Sequence, residues 1–307
     1  MTVNGPAWDL FRSFLAVLSE GSLSGAARRL GMTQPSLGRH IRELEESLGV
    51  PLFSRASHGL LPTDAALELK PHAEAMASAA ASVLRAASGA KGELRGVVRV
   101  TASEVVGVEV LPPILAAMRR RFPGIVVELS TTNRTENLLR RDADVAVRSS
   151  PPDQDALVAR KVCVIPIGLF AHADYLAEAG RPKTLADLPR HTLIGYDQET
   201  PFVRATRPAD MPYRRELFSL RTDNDLAGLA AIRAGFGIGA CQVPLGRRAG
   251  LVRLLPKAVD IPLPIWVVMH EDQRTSLRIR AVFDHLAEGL AAYGGSRGSA
   301  KLLTSGA

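Results

Sequence analysis

The chain has 307 residues, 46% hydrophobic and 22% charged, a composition that can bury a sizeable core and excludes an intrinsically disordered polymer. At ~100–200 residues per domain, this length fits two domains or three. The net charge of +7 suits a polyanionic partner, yet residues 1–62 hold six Arg and no Lys against five Asp and Glu, a net of only +1, so charge alone locates no binding face.

From Trp8 to Leu48 apolar residues recur at helical spacing in three short blocks. The first holds Leu10, Phe11, Phe14, Leu15 and Leu18 and stops at Gly21, a residue suited to the left-handed position after a helix. Ser22 can cap a second helix through Leu23, Ala26, Ala27 and Leu30, closed by Gly31. Thr33 can cap the third, where Pro35 is tolerated because the N–H groups of a first turn have no helical partner to lose. Its buried face is expected to be Leu37, Ile41, Leu44 and Leu48. Pro51 to Thr63 reads as a small β-hairpin. Thr63 to about Ala87 is rich in alanine and reads as a helix, which Pro71 should kink or deprive of one hydrogen bond. Ser88-Gly89 and Lys91-Gly92 read as a hinge.

Beyond Leu94 the pattern changes. Gly96–Thr101, Ile125–Ser130, Ala143–Arg148 and Val162–Ala171 read as strands, and segments near Val110–Arg121, Asn133–Arg141 and Asp223–Ala234 as helices. Such alternation predicts a largely parallel sheet covered on both faces. Ser276–Ala291 reads as a closing helix and residues 293–307 as a flexible tail.

Two helices separated by the Gly31-Met32 turn, the second amphipathic, fit a helix-turn-helix. The second helix of such a unit buries one stripe and offers the other to the major groove. Here the outer stripe carries Gln34, Ser36, Arg39, His40 and Arg42. Gln matches adenine edges and Arg guanine edges, each good bidentate pair giving ~1–3 kcal/mol of discrimination. Backbone N–H groups at the helix starts near Ser22 and Thr33 can hold phosphates. A polar outer face is also what any solvated helix shows, so periodicity alone leaves a helical domain without nucleic acid equally open.

The ordered residues decide more. Phe14-Leu15-Ala16-Val17, Ser22 to Leu30, Thr33-Gln34-Pro35-Ser36-Leu37 through Glu45, Leu48-Gly49-Val50-Pro51-Leu52-Phe53-Ser54-Arg55 and Leu61-Pro62-Thr63 together resemble the N-terminal domain of the LysR-type transcriptional regulators. The resemblance implies an α/β protein with an all-α N-terminal part: a winged helix-turn-helix over 7–64, a linker and dimerisation helix over 65–90, and a two-lobed, periplasmic-binding-protein-like effector domain over 94–292. The first lobe would be 94–164 with 269–292, and the second 165–268. It also implies a homodimer or homotetramer on double-stranded operator DNA, with RNA polymerase as a further partner. The DNA-contacting set is then Ser22, Thr33, Gln34, Pro35, Ser36, Arg39, His40, Arg42 and, near the wing, Arg55. Two residues depart from the pattern: Gly38 stands where the family usually has Ser, and Ala66 where a Gly is common. Ala73, Ala77, Ala80 and Ala81 offer a smooth face on which two linker helices could approach.

The effector domain's looser landmarks are Asp142 to Arg148, Asp187-Leu188 and Ala234-Gly235-Phe236-Gly237-Ile238-Gly239. Ligand-binding groups gather where strands end and helices begin. That places Ser103, Thr131, Thr132, Asn133, Arg148, Thr222, Asp223, Asn224 and Gln242 in a candidate effector site, suited to a small anion such as an organic carboxylate. Each hydroxyl and amide there could equally be an ordinary helix cap.

The competing readings are a solute-binding receptor, an enzyme with a DNA-binding appendage, and a redox sensor using Cys163 and Cys241. The receptor needs a secretory signal, and Met1 to Trp8 lacks the basic and apolar regions of one, so a cytoplasmic protein without a membrane span is expected. The enzyme lacks a G-x-S-x-G elbow and a G-x-G-x-x-G phosphate loop between strand and helix. The seven His show no metal-ligand spacing, and no cofactor is expected besides the small-molecule effector. Both cysteines sit in apolar runs, where inert thiols are common.

Overall fold

The computed structural model describes residues 5–56, 59–87, 94–133, 143–151, 157–199, 201–295 and 302–303. They form two compact units, the first ending at Ala87.

In the N-terminal unit α1 (Trp8–Glu20), α2 (Leu23–Leu30) and α3 (Gln34–Leu48) precede an antiparallel hairpin of β1 (Phe53–Ala56) and β2 (Gly59–Pro62), followed by α4 (Asp64–Ala87). Gly21, Gly31 and Gly49 end the three helices in left-handed conformation, with φ of 63°, 64° and 71°. Ser22 Oγ accepts from the Gly25 N–H, and Thr33 Oγ1 from the Ser36 N–H, capping α2 and α3. Phe14, Leu37, Leu44 and Leu52 are completely buried, and the Phe14 and Phe53 rings pack with centroids 5.7 Å apart. Leu48, expected in the buried stripe, is only half-buried at the margin of this core.

The hairpin is fastened at both ends. Glu45 Oε1 accepts from the Leu52 and Phe53 N–H groups at 2.7 and 3.2 Å, tying α3 to the start of β1. At its tip Leu60 N–H donates to Gly21 O, and a Cβ on Gly59 (φ 135°) would lie 2.4 Å from that same oxygen. Only glycine permits this approach of wing to α1.

Helix α4 runs through Pro71 without a break. Ala66 and Ala73 are buried in the core of the N-terminal unit, so the first half of α4 packs with the trihelical part rather than standing apart as a linker. This corrects the expected alanine face, because Ala73 is already occupied. The large apolar side chains left exposed on it are Leu67, Met76, Val83 and Leu84, at 52%, 40%, 65% and 72%. The expected hinge at Ser88-Gly89 and Lys91-Gly92, and the expected helix after Asn133, lie outside the described residues.

The C-terminal unit holds a mixed sheet in the order β10 (Val252–Leu254), β6 (Leu157–Ala171), β11 (Ile261–His270), β5 (Val145–Arg148), β3 (Gly96–Ala102) and β4 (Ile125–Thr131), with β9 (Gly239–Gln242) and β12 (Leu302–Leu303) also on β6. Strands β3 (Gly96–Ala102), β4 (Ile125–Thr131) and β5 (Val145–Arg148) are parallel, and with α5 (Leu111–Arg121) and α10 (Leu277–Tyr293) they build the first lobe. Strands β6 (Leu157–Ala171) and β11 (Ile261–His270) pair antiparallel along the whole of β11 and serve both lobes. The second lobe contains α6 (Ala173–Ala179), the parallel pair β7 (Leu193–Gly195) and β8 (Phe218–Arg221), α7 (Pro201–Thr206), α8 (Asp225–Arg233), β9 (Gly239–Gln242), α9 (Val243–Arg248) and β10 (Val252–Leu254).

The sheet is thus less parallel than the alternation predicts, because the two longest strands cross between lobes as an antiparallel pair. β6 also begins five residues before the expected Val162, since polar Arg160 and Lys161 mask its start. The expected flexible tail begins inside ordered structure. Tyr293 closes α10 and donates its hydroxyl to Gln242 Oε1 at 2.9 Å, and β12 (Leu302–Leu303) pairs with Arg160 and Ala159 of β6.

Candidate nucleic-acid interface and ligand cleft

On α3 the stripe opposite Leu37, Ile41 and Leu44 is open to solvent at Gln34, Pro35, Arg39 and Arg42. Arg39 has no partner among the described residues, and Arg42 makes only a long 3.4 Å contact to Gly38 O. Ser36 and Thr33 hydroxyls hydrogen-bond each other at 2.8 Å beside the helix start. Arg55 is exposed on β1, opposite Leu60. His40 departs from the expected outer stripe: it is half-buried, and its Nδ1 lies 2.8 Å from the Oγ of buried Ser13, so it anchors α3 to α1. Ser22 is half-buried and engaged in its cap.

In the first lobe the strand register brings three candidate residues together. Ala102 stands opposite both Thr131 of β4 and Val147 of β5, so Ser103, Thr132 and Arg148 emerge side by side at the carboxyl edge of three parallel strands. That edge is where open α/β sheets bind ligands. Arg148 Nη2 donates to Thr101 Oγ1 at 2.9 Å, which fixes the guanidinium against the sheet. Thr131 packs its methyl against Gly107, at whose position a Cβ would lie 2.4 Å away.

The second lobe presents its own strand ends. Tyr196 and Asp197 follow β7, and Thr222, Asp223 and Asn224 follow β8. These polar groups are already engaged: Thr222 Oγ1 accepts from the Asn224 N–H, Asp223 Oδ1 from the Asp197 and Gln198 N–H groups, and Asn224 Oδ1 from the Ala227 N–H as the cap of α8. The two edges meet. Asn224 Nδ2 donates to Glu104 Oε2 and Asn133 Nδ2 to Asp225 Oδ2, both at 3.3 Å, while Tyr196 donates to Asp225 Oδ1 at 2.6 Å. Burial, with the Asp225 charge beside it, pushes the Tyr196 hydroxyl above its usual range, so it stays a donor.

Gln242 does not join this group. Its side chain is buried, with Oε1 committed to Tyr293. Sequence reasoning missed Glu104, Tyr196 and Asp225; β7 is three residues long and gives no periodic signal, so the residue that follows it drew no notice.

At the far end of α8 the lobes share an ionic knot. Arg233 straddles Glu109 at 2.7 and 2.8 Å, and Arg248 Nη2 reaches the same carboxylate at 2.8 Å and the Glu109 carbonyl at 2.9 Å. Glu109 lies in a π-helical turn, Val106–Val110. The Arg233 hydrogen bond holds its pKa below the usual carboxylate range, partly offset by burial, with the Arg233 and Arg248 charges adding to the lowering.

Both cysteines are buried, and burial pushes their thiols up to about 11 for Cys163 and about 12 for Cys241. A thiol this reluctant to ionise is a poor redox nucleophile. His172 caps α6 by accepting from the Asp174 N–H. No group of three potential metal-ligating side chains occurs among the described residues, and none of their helices is long and apolar enough to cross a membrane.

A winged helix-turn-helix with its polar stripe free, followed by two lobes meeting at strand ends, defines a DNA-binding regulator with a ligand-binding domain. The chain matches the family model for bacterial regulatory helix-turn-helix proteins of the lysR family over residues 8–67, and that for the LysR substrate binding domain over 91–291. The transcriptional regulator ShiR of Corynebacterium glutamicum is 35% identical over 264 residues, covering 81% of this chain and 85% of that protein. The probable regulator LtrA of Klebsiella pneumoniae is 27% identical, covering 90% and 92%. Among solved structures, CrgA of Neisseria meningitidis superposes with a TM-score of 0.58 at 26% identity, covering 92% and 98% of the two chains. CbnR complexed with its target DNA shares the fold at a TM-score of 0.63 and 20% identity, covering 92% and 99%. The chain belongs to the LysR family of transcriptional regulators, and its domains are those of a DNA- and effector-binding regulator rather than an enzyme.

Proposed function

We propose that this regulator reads its operator through Gln34, Ser36, Arg39 and Arg42 in the major groove, with Arg55 on the adjacent backbone or minor groove and the N–H groups at the starts of α2 and α3 on phosphates. The observation that carries this reading is the solvent-exposed, largely unpartnered stripe Gln34–Arg39–Arg42 backed by buried Leu37, Ile41 and Leu44. An electrophoretic shift titrated with salt tests it. Specific binding should exceed binding to unrelated duplex by ~10³-fold or more and weaken steeply as salt rises. Equal affinity for both duplexes would refute it.

The effector is a small organic carboxylate held where the two strand-end edges meet. Ser103, Thr132 and Arg148 face it from the first lobe; Asn133, Asn224 and Asp225 adjust as it enters. Replacing the 3.3 Å contacts between lobes would alter the lobe angle and so the spacing of paired DNA-binding units. The subunits associate as a homodimer or homotetramer through α4, where Met76, Val83 and Leu84 lie on one helix face and are exposed. The protein acts in the cytoplasm, with RNA polymerase as its downstream contact.

A further inference from the structure

The second lobe contains a hollow of about 280 Å³ lined by Tyr196, Asp197, Glu199, Arg207, Tyr213 and Arg215. Two of its ionic side chains pair with each other, Arg215 donating through Nε and Nη2 to Asp197 Oδ1. Arg207 lies over the Tyr213 ring with its guanidinium carbon 5.1 Å from the centroid. Its Nε stands 3.1 Å from Glu199 Oε1, close enough for an ion pair but out of line for a hydrogen bond. Glu199 Oε2 is taken by Arg204 Nε at 3.0 Å.

Among the described residues the buried Tyr213 Oη has no partner, and Arg207 Nε and Glu199 Oε1 face each other as an ion pair without a hydrogen bond. Buried polar atoms are nearly always hydrogen-bonded, so an open ion pair beside a lone hydroxyl points to an occupant. Their chemistry specifies it. The Arg207 N–H and the Tyr213 hydroxyl donate, which calls for an oxyanion; Glu199 accepts, which calls for a hydroxyl or ammonium on the same molecule. Burial, reinforced by the Glu199 charge, raises the Tyr213 pKa and keeps that hydroxyl protonated. The volume, that of about nine waters at ~30 Å³ each, admits a small organic ion.

We propose that this hollow is a second ligand site, confined to the second lobe and distinct from the cleft between lobes, for a small hydroxy- or amino-carboxylate. The carboxylate binds Arg207 Nε and the Tyr213 hydroxyl, and the hydroxyl or ammonium binds Glu199. Tyr196 forms one wall of the hollow and donates to Asp225, which Asn133 reaches from the first lobe, so occupancy is felt where the lobes meet. The site does not depend on the cleft reading above.

Calorimetric titration of the full-length chain tests it, with lactate and alanine set against propionate, and 3-hydroxybenzoate against benzoate, at millimolar concentration. At least one donor-bearing probe should bind about tenfold or more tightly than its partner lacking the donor. Tyr213→Phe should weaken that probe about tenfold while leaving the melting temperature unchanged or raised, because it deletes an unpartnered hydroxyl. Arg207→Lys, which keeps the charge and loses Nε, should weaken it likewise. Failure of every probe to bind, or binding indifferent to Tyr213→Phe, overturns the proposal. A probe lost in Ser103→Ala but retained in Tyr213→Phe overturns it while supporting the cleft. Loss of the probe in Tyr213→Phe with Ser103→Ala unaffected supports the hollow and leaves the cleft to be judged on its own.

Discussion

The reading face of α3 and the meeting edges of the two lobes are both polar surfaces on an apolar scaffold, yet they are prepared in opposite ways. On α3 the Gln34 and Arg39 side chains stand exposed without partners among the described residues, held only by the helix beneath them. Across the cleft Asn133, Asn224, Asp225 and Glu104 bond to one another. On the proposed reading DNA docks on a surface whose hydrogen bonds are still to be made, whereas an effector entering at the strand ends would have to exchange bonds already formed. Such an exchange would give a small ligand its leverage on a lobe.

The contrast breaks first if the scaffold beneath α3 is not what holds it. Leu44→Ala, at a completely buried position, should destabilise the N-terminal unit by ~2–5 kcal/mol in thermal or urea melts. A change under ~0.5 kcal/mol would place α3 in another register. The lobe contact is sharpened next by Glu109→Gln, which should cost the C-terminal unit ~1.5–3 kcal/mol by weakening charge-assisted bonds to Arg233 and Arg248. The pH dependence has a definite sign. Because the folded Glu109 pKa is lowered, its stabilisation is present above the ordinary carboxylate range and is lost as pH falls through the lowered value. Acid melts of Glu109→Gln should be correspondingly flatter there.

Arg39→Ala should lower operator affinity by ~1–3 kcal/mol with no measurable change in melting, the reverse pattern to Leu44→Ala. The smallest effect concerns Gly38, where an added Cβ would meet only Leu23 Cδ1 at 3.8 Å. Gly38→Ala should stabilise α3 by ~0.5–1 kcal/mol, read as a rise in melting temperature.

The same asymmetry governs what could be read from the sequence. In the N-terminal unit caps, stops and apolar stripe are local signals, so Ser22, Thr33, Gly21 and Gly31 mark the helices where the structure has them. His40 escaped, because only the fold brings Ser13 within reach, 27 residues earlier in the chain. In the C-terminal unit the strand ends were legible as elements, which drew attention to Ser103, Thr132 and Asn224. Which of these would meet was not, since Glu104 and Asn224 are 120 residues apart. Gln242 looked like Asn224 by position, but its strand pairs with β6 and turns the amide toward Tyr293.

One carboxylate connects the two parts of the reading surface. Glu45 leaves the back of α3 and grips the first amides of the hairpin that carries Arg55. Helix and wing are thereby tied, so in the proposed binding mode a rotation of α3 would carry the wing with it. The span of base pairs covered by one subunit would then depend on that tie, and shortening Glu45 to Asp should slacken it without removing any group proposed to meet DNA.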